Sequence, residues 1–223
     1  MTESRALLLI ADIGGYTRYM SLHRMSLAHA QANVARLLEA VIDAASGLEL
    51  IDVEGDAVFF SRDADGDPAG AATNAAVAMH QAFHREQRLV VANLCPCEGC
   101  SRAGDLSLKF VAHVGAVVTQ TVRDQKTLVG PDVILVHRLL KNAVPVREYL
   151  LFSDALDPGG DATPLAHEVE GLGEVQTWFL DLGKLSAELL PEPSMPQRLG
   201  ETLRVLGRGT PYLLGLKRQP APV

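Results

Sequence analysis

The stretch Ala6-Leu7-Leu8-Leu9-Ile10-Ala11-Asp12-Ile13-Gly14-Gly15 is the starting point for the fold. Its first six residues are apolar, which is typical of a strand buried on both faces of a sheet. The Asp-Ile-Gly-Gly that follows ends the apolar run in a glycine loop. The segment therefore predicts a buried strand that carries an aspartate, Asp12, at its tip.

Outward from this strand, the chain alternates helical and extended patterns. Apolar residues spaced by three and four predict a long helix over roughly Leu22–Ser46, and Glu54-Gly55-Asp56 predicts a tight hairpin between strands at Leu48–Val53 and Ala57–Ser61. Strands interleaved with helices, with hairpins as well, indicate an α+β fold with helices packed over one main sheet. The further predicted elements are a helix opened by Pro68, an irregular insertion at Asn93–Asp105, a strand at Leu106–Val118, a strand end at Thr127–Val129, a helix from Gly130 to about Asn142, and strands at Tyr149–Phe152, Leu165–Val169 and Val175–Leu182.

Composition excludes several classes of protein. The chain has 223 residues, is 48% hydrophobic and carries a net charge of −7, which excludes intrinsic disorder as the main state. It lacks the basic block of a nucleic-acid groove, and its apolar runs fall far short of the roughly 20 residues of a spanning helix. The cysteines are only Cys95, Cys97 and Cys100, and no secretory signal is visible, so we expect a cytoplasmic protein that binds neither nucleic acid nor membrane.

Two acidic residues lie beside glycine at the ends of predicted strands, Asp12 before Gly14 and Asp56 after Gly55. Mg²⁺ and similar hard cations prefer carboxylate oxygens together with substrate phosphates. If the two strands are neighbours, the pair would hold one or two Mg²⁺ or Mn²⁺ ions that neutralise a triphosphate. The alternative is that both are turn-forming aspartates.

Four short segments occur in order along the chain. They are Ala11-Asp12-Ile13-Gly14-Gly15-Tyr16-Thr17, Glu54-Gly55-Asp56-Ala57-Val58, His113-Val114-Gly115 and the run from Val129-Gly130-Pro131-Asp132-Val133 to Arg138. Together they resemble the successive signatures of class III nucleotidyl cyclases, over about residues 5–182. Glu54–Phe60, the cysteine insertion and His137–Asn142 are similar to an uncharacterised bacterial branch of that superfamily.

The resemblance implies a ferredoxin-like βαββαβ core with extra C-terminal strands, and a head-to-tail homodimer with shared active sites. We therefore expect a cyclase-homology domain at 1–182 that contains a cysteine-rich insertion at 92–106. Residues 183–223 are expected to form a Pro-spaced tail rather than a domain.

The same resemblance implies roles for individual residues. Asp12 and Asp56 would be the two metal-binding aspartates, and Arg138 would stabilise charge on the triphosphate in the transition state. Ile13 would offer its backbone to the metal, while Gly14 and Gly15 would lie under the phosphates.

Three positions depart from the family pattern. Asp52 replaces the adenine-reading lysine, Thr127 replaces the adenine-reading aspartate, and Ile134 replaces the ribose-positioning asparagine. Ile134 offers no hydrogen bond, and loss of one preorganised donor typically lowers a rate by ~10²–10³-fold. Asp52 and Thr127 are wrong for adenine, yet a carboxylate and a hydroxyl could pair with the edge of guanine.

A cluster of thiols suggests a second metal site. Cys95-Pro96-Cys97-Glu98-Gly99-Cys100 could supply three thiolates to a structural Zn²⁺, with His84 as the fourth ligand. The alternative is three reduced thiols in a loop.

These patterns favour a cyclase-homology protein with degenerate catalytic residues that acts as a metal- or nucleotide-binding regulatory module. One alternative is an active guanylyl-type cyclase that converts a nucleoside triphosphate to its 3′,5′-cyclic monophosphate and pyrophosphate. Another is a protein-interaction module with a vacant pocket. The residues alone leave open whether the protein is an enzyme.

Overall fold

The computed structural model describes residues 3–22, 27–93, 98–123, 125–169, 171, 173–185, 193–200 and 202–203. No helix in these parts of the chain has the length and hydropathy needed to cross a membrane. The strands are β1 (Glu3–Gly14), β2 (Glu49–Glu54), β3 (Ala57–Asp63), β4 (Ser107–Val122), β5 (Gln125–Val129), β6 (Tyr149–Ser153), β7 (Thr163–Val169) and β8 (Gly173–Asp181). The helices are α1 (Tyr16–Leu22), α2 (Leu27–Ala44), α3 (Pro68–Ala92), α4 (Glu98–Arg102), α5 (Pro131–Arg138) and α6 (Leu182–Leu185), with a turn of 3-10 helix at Ala103–Asp105.

One eight-stranded mixed sheet has the order β2-β3-β1-β4-β6-β8-β7, and β5 pairs with β4 off this path. Neighbours among the first four strands in that order are antiparallel, and with α2 and α3 these strands form the expected ferredoxin-like βαββαβ core. Strand β6 joins β4 in parallel, and β8 and β7 extend the sheet beyond it. The α+β prediction, with helices over one main sheet and extra C-terminal strands, is confirmed.

Alternation along β1 sends its side chains into two cores. Leu7 and Leu9 pack in the core on the side of α2 and α3, whereas Leu8 and Ile10 pack in a second core that includes residues of α5. All four side chains are fully buried, as expected for a central strand. Because side chains alternate with a period of two, Asp12 lies on the same face as Leu8 and Ile10, opposite α2 and α3.

Helix α3 begins at Pro68 as predicted. The carboxylate of Asp67 accepts a hydrogen bond from the Gly70 N–H at 2.9 Å and caps the helix. The predicted face of small and apolar residues is buried, and its members are Ala72, Ala75, Ala76, Met79 and Phe83.

Three helix boundaries differ from the sequence predictions. The helix expected over roughly Leu22–Ser46 corresponds to α2, which runs from Leu27 to Ala44, while Leu22 is the last residue of α1. The insertion expected to be irregular contains α4 and the 3-10 turn, because Cys100 and Ala103 are both buried. Helix α5 ends at Arg138 rather than near Asn142, since the Asn142 side chain donates to the Leu139 carbonyl at 2.7 Å and replaces a further helical turn.

Part of the C-terminal tail also has structure. Residues 195–200 are helical, and Arg198 Nε donates to the carbonyl oxygen of Ala92 at 3.1 Å. This hydrogen bond connects the tail to the end of α3.

The start of α5 is attached to β4 through Asp132. Its Oδ2 accepts a hydrogen bond from the Ala116 N–H at 2.6 Å, and its Oδ1 lies 3.2 Å from Nε2 of His113. The other ring nitrogen of His113 is 2.6 Å from the Ser153 hydroxyl on β6. Asp132 occupies the space that Gly115 leaves open, since a Cβ at Gly115 would lie 2.2 Å from Asp132 Cγ. The His113-Val114-Gly115 segment therefore has a structural role, which is to position the start of α5 against β4.

We predict that Gly115→Ala lowers the free energy of unfolding by about 1–3 kcal/mol, because the added methyl displaces Asp132 from a packed position. Urea denaturation measures the change. Gly104→Ala is the control, since its Cβ would meet only Val91 Cγ2 at 3.6 Å. Equal stability of the two variants would contradict the role assigned to Asp132.

Candidate functional site

Asp12 and Asp56 lie at adjoining strand tips. Asp12 pairs across the sheet with Ala57, the residue directly after Asp56. The Ile13 N–H donates to the backbone carbonyl of Asp56 at 3.0 Å and holds the two tips together. The side chain of Ile13 is buried on the side of the sheet that packs against α2 and α3.

The two carboxylates share one nearby cation, Lys109 on β4. Its Nζ lies 2.9 Å from Oδ2 of Asp12, and both side chains are mostly buried. Burial and the charge of Asp12 raise the pKa of Asp56 above its ordinary value. Burial opposes the charged form of Lys109, yet its hydrogen bond and charge interaction with Asp12 raise its pKa. Two acids facing one ammonium group leave negative charge that a divalent cation would neutralise.

A tyrosine and the turn after α5 line the other side of Lys109. Nζ of Lys109 donates to the Leu140 carbonyl at 3.4 Å, and the Tyr149 hydroxyl donates to Oδ1 of Asn142 at 2.9 Å. Burial is the main cause that raises the pKa of Tyr149, so its hydroxyl stays protonated. Lys109 was not predicted as a site residue, although a lysine among the apolar residues of a buried strand is a usable signal.

The glycine loop after Asp12 is closely packed. A Cβ at Gly14 would lie 2.4 Å from Oγ of Ser107, so only glycine fits there without a shift. Gly15 has φ +86°, a conformation that favours glycine, and begins the turn into α1.

The structure brings together the strands that carry Asp52 and Thr127. Lys126 of β5 forms a salt bridge with Glu49 of β2 at 2.9 Å. Asp52 is exposed and pairs across the sheet with Phe59, so it lies on the same face as Asp12. Thr127 pairs with Gln120 on β4.

Arg138 and Ile134 line a groove of about 630 Å³ on α5. Ile134 is 55% exposed, and the Arg138 guanidinium lies against Gly171 in the turn between β7 and β8. The groove reaches the β2–β3 hairpin, where Nδ1 of His137 is 3.5 Å from a carboxylate oxygen of Glu54.

The predicted ligands of the zinc site fall in different places. Cys95 and Cys97 lie outside the described residues. Cys100 is buried, with Sγ 3.5 Å from Nε2 of His29 and 3.3 Å from the Asn93 amide. His84 instead contacts His80 and Glu148. Zinc binding by Cys95, Cys97, Cys100 and His84 stays a prediction. Among the described residues, His29 is a histidine that contacts Cys100.

His80, His84 and Glu148 form a cluster on the other face of the sheet that the sequence analysis did not identify. Burial favours the neutral form of Glu148, but hydrogen bonds and charge interactions with the two histidines lower its pKa well below the usual range. Glu148 is 64 residues from His84, so no local pattern could have paired them.

Solved structures of cyclase domains share this fold. The guanylate cyclase domain of RhGC from Catenaria anguillulae, in complex with GTP, is 20% identical with a TM-score of 0.60, over 80% of this chain and 97% of that one. The adenylyl cyclase CyaB from P. aeruginosa is 16% identical with a TM-score of 0.57, over 81% of this chain and 95% of that one. The fold is that of class III cyclase catalytic domains, as the resemblance predicted.

Sequence relatives define the family more closely. The "Uncharacterized protein Rv2561/Rv2562" of Mycobacterium tuberculosis is 40% identical over 193 residues, which cover 83% of this chain and 91% of that protein. The family model described as "Protein of unknown function (DUF2652)" matches residues 34–149. The chain therefore belongs to the DUF2652 family, and its fold is that of a class III cyclase domain.

Proposed function

We propose that this protein is a cyclase-homology module that binds a divalent cation and a nucleoside triphosphate but cyclises the nucleotide poorly. The observation that carries the proposal is the meeting of Asp12 and Asp56 at the tips of β1 and β3, with Lys109 beside them. Two carboxylates in a partly buried site, one with a raised pKa, fit the oxygen-ligand preference of Mg²⁺ or Mn²⁺. When bound, the ion would supply neutralisation of phosphate charge.

The role of Lys109 depends on whether a metal ion is bound. Without a metal ion, its ammonium group pairs with Asp12 and competes with any cation for that carboxylate. A divalent ion on Asp12 and Asp56 would displace this pairing and leave Lys109 available to an anionic phosphate. The site therefore favours the metal–nucleotide complex over either component alone.

Arg138, Gly14 and Gly15 keep the roles that the resemblance implies, on the triphosphate side of the site. Their assignment is part of the proposal, as is the head-to-tail homodimer. Sedimentation of the purified chain tests the homodimer, since a monomer at all concentrations would remove it.

Cyclisation needs groups that this chain lacks. The side chain of Ile134 is exposed in the α5 groove, where it offers no donor to a ribose. The Asp52 carboxylate accepts a hydrogen bond from its neighbour's backbone, the Val53 N–H, at 2.7 Å. A nucleotide would thus be held by its phosphates and metal more firmly than by its sugar and base.

A working guanylyl-type cyclase is the second candidate. Asp52 is exposed on the face that carries Asp12, and a carboxylate there can accept from the N1–H and N2–H₂ edge of guanine. Accumulation of cyclic guanosine monophosphate by the unmodified chain with Mn²⁺ would favour this candidate over the binding module.

Calorimetric titration of the full chain with GTP and with ATP, in Mn²⁺ and in chelator, tests the proposed function. We expect binding that requires the metal ion and is lost in Asp12→Asn. Asp43→Asn, an exposed position on α2, is the matched control. The proposal fails if no nucleoside triphosphate binds in a metal-dependent way.

Restoring the missing donor should raise any cyclase rate. We predict that Ile134→Asn increases cyclic nucleotide formation by on the order of 10²-fold, because it supplies a hydrogen bond that the transition state lacks. Mass detection of the product measures it. Ile134→Ala is the control, since it removes the bulk without adding a donor, and an unchanged rate in both variants would place the ribose elsewhere.

Removing the Lys109 charge should have opposite effects on the two ligands. We predict that Lys109→Met tightens Mn²⁺ binding roughly tenfold in the absence of nucleotide, allowing for solvent screening of a partly exposed pair. The same variant should weaken nucleotide binding in the presence of Mn²⁺. Calorimetry measures both affinities, with Lys184→Met on the exposed surface as control. A weaker affinity for Mn²⁺ alone would contradict the competition between Lys109 and the metal.

The raised pKa of Asp56 predicts that the folded state becomes less stable as pH rises. A carboxyl group whose pKa is higher in the folded state destabilises that state progressively as pH rises from its unfolded value, 3.8, through the folded value. Asp56→Asn should remove this decline and be more stable than the parent near neutral pH without metal. Chemical denaturation across pH measures the difference, and Mn²⁺ should stabilise only the parent. A variant less stable than the parent at neutral pH would contradict the assignment.

A further inference from the structure

The His80–His84–Glu148 cluster joins helix α3 to the start of β6. The two histidines lie one helical turn apart on α3, with their Nε2 atoms 3.2 Å from each other. Glu148 directly precedes β6 and faces both rings, with Oε2 3.1 Å from His80 Nε2 and Oε1 2.9 Å from His84 Nε2. Two ring nitrogens and a carboxylate therefore converge on one point.

Gln87 holds a proton on Nδ1 of His84, the ring nitrogen that faces away from this point. The Gln87 amide nitrogen donates to the carbonyl oxygens of Ala103 and Leu106, both at 2.8 Å, which fixes the orientation of the amide. Its Oε1 then faces His84 Nδ1 at 2.8 Å. Since a carbonyl oxygen can only accept, Nδ1 carries the proton. In the neutral form of the ring, the lone pair of Nε2 is therefore directed at Glu148.

A lone pair 2.9 Å from a carboxylate oxygen is repulsive unless a proton or a cation lies nearby. An outer hydrogen bond from a ring N–H to a carbonyl oxygen is also the usual way in which metal-binding histidines are oriented. Gln87 makes this contact for His84. The Leu108 N–H donates to Oε1 of Glu148 at 3.0 Å and orients the carboxylate in the same manner.

We propose that His80, His84 and Glu148 bind a divalent transition-metal ion, with Zn²⁺ as the best match to the donor set. Zn²⁺ takes two imidazoles and a carboxylate in sites that keep an open position. With bonds of about 2.0–2.2 Å, tetrahedral ligand atoms lie roughly 3.3–3.6 Å apart. The two Nε2 atoms are 3.2 Å apart, and they lie 2.9 and 3.1 Å from different oxygens of Glu148. A site in which one of these oxygens is the ligand needs an expansion of a few tenths of an ångström and a small rotation of the carboxylate.

Two of the three side chains of the proposed site are partly exposed, which leaves a path for an ion from solvent. The side chain of His80 is 2% exposed and forms the base of the site, whereas His84 is 25% and Glu148 18% exposed. An ion would enter along His84 and Glu148, and a solvent water could complete its coordination. Nδ1 of His80 is buried and has no hydrogen-bond partner in the part of the chain that the structure describes, so this ring is less constrained than that of His84.

This site is separate from the Asp12–Asp56 pair. Side chains alternate along β4 and β6, so Leu108 and Leu150 face the α3 side of the sheet while Lys109 and Tyr149 face the Asp12 side. The two sites also differ in chemistry, because imidazole donors suit Zn²⁺ whereas Mg²⁺ prefers oxygen. The proposed role is structural: the ion would attach α3 to the two strands that carry Lys109 and Tyr149.

Titration of the chelator-treated full chain with Co²⁺, followed by absorption, tests the proposal. With excess Mg²⁺ present to occupy the Asp12–Asp56 pair, we expect one Co²⁺ ion to bind with the weak visible bands of a nitrogen–oxygen site and to be displaced by Zn²⁺. His84→Gln and Glu148→Gln should each weaken binding beyond the roughly 10–100-fold that loss of an outer partner costs. His137→Gln, a histidine on α5, is the matched control and should bind as the parent does. Asp12→Asn should also retain the ion.

The absorption spectrum separates this site from the thiol cluster, because thiolate ligands add an intense charge-transfer band in the near ultraviolet. Binding that shows only the thiolate band, or that both variants retain, would overturn the proposal. If the variants do not fold, proton NMR of the Co²⁺-loaded parent decides the matter. Strongly shifted imidazole N–H resonances from two histidines support the site, and their absence contradicts it.

Discussion

Pairing of β1 with both β3 and β4 is the constraint on which the rest of the structure depends. Its register places Asp12 opposite Ala57 on one side and Lys109 on the other. A slip of one residue in the strand register would turn the charged side chain of Asp12 into the core beneath α2 and α3. The free-energy cost of burying that charge would far exceed any gain from new contacts in the site. Burial of Leu7 to Ile10 on both faces therefore determines where the carboxylate lies.

The same alternation separates two clusters of charge across the thickness of one sheet. Glu148 and Tyr149 are adjacent in the chain, yet Glu148 faces the histidines of α3 and Tyr149 lies near Lys109 and Asp12. The Leu108 N–H donates a hydrogen bond to Glu148, and the next residue, Lys109, forms a salt bridge with Asp12. An ion on one face would therefore act on strands that also form the other site.

Local patterns were enough to predict the parts of the fold that local chemistry determines. The apolar run of β1, the hairpin at Glu54-Gly55-Asp56 and the start of α3 at Pro68 each follow from a short segment and agree with the structure. The end of α5 was wrong because the side chain of Asn142, a residue past the helix, satisfies a carbonyl that the helix would otherwise use. The tertiary hydrogen bond from Tyr19 to the Gly99 carbonyl shows how α1 packs against the insertion, and no periodicity reveals that contact.

For the candidate site, the sequence predicted the two aspartates but not their partners. Asp12 and Asp56 can be recognised from their neighbouring glycines. Lys109 is a cation in an apolar strand, and its partner depends on the register between β1 and β4. His84 was expected beside the thiols because it is near them in the chain. Glu148, which is distant in the chain, contacts it because β6 lies next to β4.

The central claim is that Asp12 and Asp56 face a shared cation, and anomalous scattering from crystals soaked with Mn²⁺ and GTP tests it most directly. We expect an anomalous peak within bonding distance of both carboxylates, with Lys109 turned away from Asp12. Crystals that contain bound nucleotide but no peak between the two carboxylates would contradict it.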